Sequence, residues 1–128
     1  MADELGALIA ADIKTATCSS LEEWQHEGEV PPGIGALTVV LNGSRRPLCI
    51  IETTEVIMRP FNQVDSNFAF DEGEGDRSLA FWRAAHQRFF SSSLPKIGLD
   101  FHEEMPLVCE RFKVIYLAPG SLEGKDNE

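Results

Sequence analysis

Lys14 is the only lysine before Lys96, and the hydroxyls of Thr15 and Thr17 follow it closely. A lysine does catalytic work when burial or a cationic neighbour brings its pKa toward neutrality. On local sequence alone Lys14 is read first as the end of a helix whose dipole it complements. Glu72 and Glu74 lie in the acidic run 71–76, with glycines at 73 and 75. Such a backbone can bring a carboxylate close to a ligand, although spacing alone favours a solvated loop whose last member, Asp76, caps the next helix. Of the three histidines, His86 falls on an apolar helix face and reads as packed and hydrogen-bonded, while His26 and His102 read as surface residues. Cys18, Cys49 and Cys109 are odd in number and widely spaced, with neither a zinc spacing nor a disulfide framework. No phosphate loop, dinucleotide fingerprint or nucleophile elbow is present, so neither metal nor cofactor is expected.

The elements that must hold these residues follow from periodicity and punctuation. Asp3 can cap a short helix that turns Leu5, Leu8 and Ile9 inward. The alternating β-branched residues after Lys14 favour an extended segment, which puts a helix-to-strand junction near Lys14. Ser20 and Glu23 have capping-box spacing for a second short helix that carries Leu21 and Trp24 and ends near Gly28. Residues 37–41 and 47–56 read as a hairpin through Asn42-Gly43-Ser44, with Arg45 and Arg46 near its tip. Short helical or loop pieces with Phe61, Phe68 and Phe70 as aromatic anchors fill 60–75. The longest helix is expected at 77–90, capped by Asp76 and presenting Leu79, Trp82, His86 and Phe89, and a final alternating strand at 107–117. This order implies an α+β fold, a small curved sheet or partly open barrel with helices around it. A single domain spans 1–118 and a flexible tail 119–128.

The chain has 128 residues, 43% hydrophobic and 25% charged, which suits one globular unit with a core of its own. Its formal net charge of −10 opposes loose adhesion to nucleic acid or anionic membranes. Arg45, Arg46, Arg77, Arg83 and Arg88 are the only cationic clusters, and the last three do not share one helical stripe. The start of the chain is acidic and its first apolar stretch is broken by Gly6 and Asp12, so no signal peptide or membrane span is expected and the protein is read as cytoplasmic.

Several stretches together resemble the ASCH domain family. They are Ile13-Lys14-Thr15-Ala16-Thr17, Gly33-Ile34-Gly35, Ile51-Glu52-Thr53-Thr54-Glu55-Val56, Phe61-Asn62-Gln63-Val64-Asp65, Asp71-Glu72-Gly73-Glu74-Gly75-Asp76-Arg77-Ser78-Leu79 with Trp82 and His86, and Val108-Cys109-Glu110-Arg111-Phe112. The likeness runs over about residues 5–117 and is strongest to small stand-alone bacterial ASCH proteins. It implies a PUA-like fold, with a small β-barrel, packed helices and a cleft beside the barrel. It also implies one of two activities: an RNA-binding module or ribonuclease, or an amidohydrolase that removes acyl groups from N4-acylated cytosine nucleosides such as N4-acetylcytidine.

The amidohydrolase members resemble this chain at a lysine, a threonine three residues later and a glutamate from a later loop. These match Lys14, Thr17 and Glu74, with Glu72 open as the alternative. The resemblance implies that Lys14 takes a proton from Thr17, which attacks the amide carbonyl while Glu74 relays a proton; in a second division of roles Glu74 activates water and Lys14 polarises the carbonyl. In a regular strand positions 14 and 17 point to opposite faces, so the two converge only if Lys14 lies in the turn. Thr15, Trp24 and Phe70 are expected to contact substrate, the aromatics by stacking on the base. Low cationic charge favours a small modified nucleoside as partner over RNA, with no membrane partner and a monomer or homodimer as the assembly.

Overall fold

The computed structural model describes residues 2–119, with side chains from residue 4 onward. The capping side chain expected at Asp3, and all of the expected tail beyond Pro119, lie outside the described residues. The element order is α1 (Ala2–Ala10), β1 (Ala16–Ser20), α2 (Leu21–His26), β2 (Leu37–Leu41), β3 (Pro47–Pro60), α3 (Ser66–Glu72), α4 (Leu79–Ser93) and β4 (Pro106–Leu117). Single 3₁₀ turns at Phe61–Gln63 and Leu94–Ile97 complete it.

The four strands form one antiparallel sheet in the order β1-β4-β3-β2, curled into a half-barrel. The β3–β4 register shifts twice: between Ile50 and Ile51 the extra residue, Ile115, lies in β4, and between Thr53 and Glu55 it is Thr54 of β3; bulges of this kind bend a strand and increase its twist. Alternation then divides β4. Leu107 and Cys109 join the core beneath the helices, while Val108, Glu110 and Phe112 are buried on the other face. Phe61, Val64, Phe68, Trp82, Phe90 and Leu94 supply the helical side of that core. Helix α1 lies across β2, β3 and β4, and a Cβ on Gly6 would stand 2.6 Å from Leu48 Cδ1, so the leucine side chain would have to shift to admit one.

Local chemistry sets most boundaries. Ser20 caps α2 by accepting a hydrogen bond from the Glu23 amide at 3.3 Å. The β2–β3 connection is longer than an Asn-Gly turn: Asn42 Oδ1 accepts from the amides of Ser44 and Arg46, and Arg45 takes the left-handed conformation. Helix α4 begins two residues later than expected because Ser78 caps it, accepting from the Phe81 amide at 3.0 Å. Asp76 instead accepts from the Ser78 amide at 2.9 Å, and Arg77 lies outside the helix with a φ of 67°. Phe70 is not an anchor but 52% exposed, and on α4 it is Phe90 that is buried while Phe89 faces out.

Candidate active site

Lys14 falls between the end of α1 and the start of β1, in irregular backbone, so its side chain is free of the strand's alternation. It is 4% exposed and turns inward to the end of α3. Its Nζ donates to Glu72 Oε1 at 2.9 Å, Glu74 Oε2 at 2.8 Å and the Ala16 carbonyl at 2.8 Å, and lies 3.3 Å from the Glu72 carbonyl. Three ammonium protons facing four acceptors leave none free.

Gly73 makes this possible. It ends α3 in the left-handed conformation (φ 73°), and a Cβ on it would stand 2.7 Å from the Ile13 carbonyl oxygen and 3.0 Å from Lys14 Cα. The loop therefore meets the Lys14 backbone with no side chain between, and the glutamates on either side of Gly73 both reach the ammonium. The two differ in setting. Glu72 is 1% exposed, and its Oε2 accepts from the Trp82 indole at 2.9 Å, with His86 Nε2 3.7 Å away. The Glu74 side chain keeps 29% of its exposure.

Burial on its own lowers the Lys14 pKa, but the charges and hydrogen bonds of Glu72 and Glu74 outweigh it and hold the ammonium above its ordinary 10.5. The two carboxylates thus favour the charged form of Lys14. The Cys18 thiol is pushed well above its ordinary range by burial first and by the charge of Glu72 second.

Of the sequence-derived site residues, Lys14, Glu72 and Glu74 come together. Thr17 does not join them. It lies within β1 opposite Glu110, alternation turns it away from the Cys18 face, and among the described residues its hydroxyl makes no hydrogen bond to the cluster. Thr15 ties β1 to α3, its amide donating to the Asp71 carbonyl at 2.8 Å and its hydroxyl standing 3.4 Å from the same oxygen. Trp24 borders a groove of about 320 Å³ along the free edge of β1, with Cys18, Glu23, Glu27 and Phe89 among its other walls; its indole donates to Ser19 Oγ at 2.8 Å. Phe70 is on no wall of that groove and lies under the Arg77 guanidinium, 3.6 Å from ring centre to carbon. Arg77 Nε donates to the Phe70 carbonyl at 3.0 Å, so the residue reads as part of the loop and not of a helix face.

Sequence reasoning missed Trp82 and His86 as members of the site. Trp82 is buried as expected of a core residue, yet its indole N–H needs a partner, and Glu72 is that partner. Their spacing of four residues, which stacks the rings at 4.3 Å, was the available signal.

A curled four-stranded antiparallel half-barrel with helices packed against it matches the ASCH/PUA-like fold. The family model for the ASCH domain matches residues 1–116, and the chain belongs to that family, which is RNA-binding in general. An ASCH domain of Lactobacillus crispatus JV V101 is 45% identical with a TM-score of 0.85, over 88% of this chain and 71% of that one. A protein of Enterococcus faecalis V583 is 38% identical with a TM-score of 0.83, over 98% of this chain and 73% of that one. A search of curated proteins gives no match. No helix among the described residues is long and apolar enough to cross a membrane.

Proposed function

We propose that the protein is an amidohydrolase that removes acyl groups from the exocyclic nitrogen of N4-acylated cytosine nucleosides. One observation carries this: a buried Lys14 ammonium shared by two carboxylates of unequal exposure. Because every Lys14 proton is already taken, a substrate carbonyl can reach the ammonium only by displacing an acceptor, and Glu74 is the exposed one. Once displaced, Glu74 is a free carboxylate beside the polarised carbonyl. It takes a proton from water as the oxygen attacks, Lys14 stabilises the oxyanion, and the same proton passes to the cytosine nitrogen as the C–N bond breaks. Glu72, clamped by Lys14 and Trp82, positions the ammonium.

Water is the nucleophile in this scheme because Thr17 lies apart from the cluster. Incubating the protein with N4-acetylcytidine and following cytidine by chromatography tests it. Glu74→Gln should abolish turnover with the fold retained, whereas Thr17→Ala should still turn over. Full turnover in Glu74→Gln would overturn the proposal, and loss confined to Thr17→Ala would transfer the nucleophile to that hydroxyl.

A second reading, an RNA-binding module or ribonuclease, draws on the exposed Phe70–Arg77 pair next to Glu74, since stacked aromatic and guanidinium groups hold single-stranded bases. In that case Arg77→Ala weakens RNA association and flattens its salt dependence.

A further inference from the structure

Glu72 also meets two groups that the proposed hydrolysis does not use. Cys18 Sγ, a carboxylate oxygen of Glu72 and a ring nitrogen of His86 all lie within 4.8 Å of one another. His86 Nδ1 stands 2.9 Å from the Trp82 carbonyl and donates to it, so in the neutral ring Nε2, 3.7 Å from Glu72 Oε2, carries the lone pair. An imidazole anchored to a backbone carbonyl through one nitrogen and presenting the other is the arrangement found in metal-bound histidines. The ring is also held against Trp82, so the nitrogen is already aimed.

We propose that Cys18, Glu72 and His86 form a three-ligand site for a thiophilic divalent cation of the zinc type, with its fourth position open toward the groove beside β1. The donor set is one sulfur, one imidazole nitrogen and one carboxylate oxygen, all common zinc ligands. Tetrahedral zinc with ordinary bond lengths separates its donors by about 3.3–3.8 Å, so the three side chains need to close by about an ångström. Cys18 is itself a wall of the groove, which gives the cation a path in and a water or small ligand a place to complete the coordination.

Charge supports the site. Lys14 carries one positive charge against the two negative charges of Glu72 and Glu74, so the cluster is left with one negative charge in a largely buried place. On binding, the Cys18 S–H bond breaks, its proton goes to solvent and a sulfur–metal bond forms. A divalent cation with a thiolate adds one positive charge, and the cluster becomes neutral. Glu72 keeps its present partners, because each carboxylate oxygen has two lone pairs and Lys14 and Trp82 each use one. The ligands come from β1, α3 and α4, at positions 18, 72 and 86, so no short spacing in the sequence marks them.

Cobalt(II) is the probe, because thiolate ligation gives it a strong near-ultraviolet charge-transfer band that carboxylates and water do not. Titration of the intact protein should produce that band to a limit of one equivalent, and zinc should bleach it. Cys18→Ser should abolish the band, and His86→Gln should weaken cobalt binding by about tenfold or more, in line with the loss of a metal-site group. Circular dichroism of both variants confirms that they fold. Absence of the band in the wild type, or its persistence in Cys18→Ser, overturns the site. Because the signal reports thiolate ligation alone, it is independent of whether N4-acetylcytidine is hydrolysed.

Discussion

Two clusters join the end of α3 to the sheet, and they use the same chemistry in opposite settings. At one, Lys14 meets Glu72 and Glu74 in the interior, with distances of 2.9 and 2.8 Å. At the other, Arg111 on β4 reaches Asp71 at 3.2 Å and Glu55 at 3.3 Å, with every partner about a third exposed. One residue, 71 against 72, separates the carboxylates that serve them. The outer cluster is screened by water and exchanges one hydration shell for another at small net gain. In the inner one Lys14 and Glu72 have lost their hydration and depend on each other, so the loss of either leaves a buried charge stranded. Similar ion pairs therefore differ in what they contribute: the outer one adds little, and the inner one holds a buried cation against a buried carboxylate.

The sharpest test strips the inner cation. Lys14→Ala leaves Glu72 charged, buried and without its main partner, and the loss of one member of a buried pair costs about 3–5 kcal/mol. Urea unfolding measures it as a lower midpoint at unchanged slope. Adding Glu72→Leu to that variant should recover most of the loss, since replacing a whole buried pair by apolar groups is close to neutral. If the double variant is no more stable than Lys14→Ala, the cost arises from packing and not from a stranded charge. Next in size is Gly73→Ala. A left-handed alanine costs about 1–2 kcal/mol, and the approach to the Ile13 carbonyl adds to that. The loop must retreat, so Glu74 loses Lys14 and turnover should fall further than stability does.

How these clusters were read from the sequence follows the same division. Strands β2 and β4 and the Ser20 cap of α2 are legible because a β-branched run ending at Asn42-Gly43, the alternation of β4 and the Ser20–Glu23 spacing are local signals. The cap of α4 was misplaced because Asp76 and Ser78 are both good cap residues, and only the left-handed Arg77 between them decides for Ser78. Within the site, Glu72 and Glu74 were read from spacing as a solvated loop. What reverses that is the approach of residues 13 and 14 to Gly73, a contact across about sixty residues that no local pattern encodes. The opposite faces of positions 14 and 17 were legible as a geometric condition, and the strand's start at Ala16 satisfies it for Lys14 while leaving Thr17 on the far side from Cys18.

pH sharpens the comparison with a smaller effect. The folded Lys14 pKa lies above the ordinary 10.5, so its contribution to stability is complete below 10.5 and is lost as pH rises through the folded value. Thermal melts of the wild type should therefore steepen their decline above about pH 10.5, and those of the Lys14→Ala, Glu72→Leu double variant should not. A parallel decline in both would assign the alkaline loss to other groups.

The smallest expected effect is at the outer cluster. Arg111→Ala removes two ion pairs and the cation lying 5.2 Å from the Phe68 ring centre, yet both carboxylates it leaves behind remain in contact with water. The expected cost is about 0–1 kcal/mol in low salt, and it should shrink as salt is added. The Lys14→Ala penalty should hardly change across the same salt range, because ions do not enter a site that closed. Equal salt sensitivity in the two variants would mean that water already reaches Lys14, and the displacement of Glu74 by substrate would then not be needed to expose the ammonium.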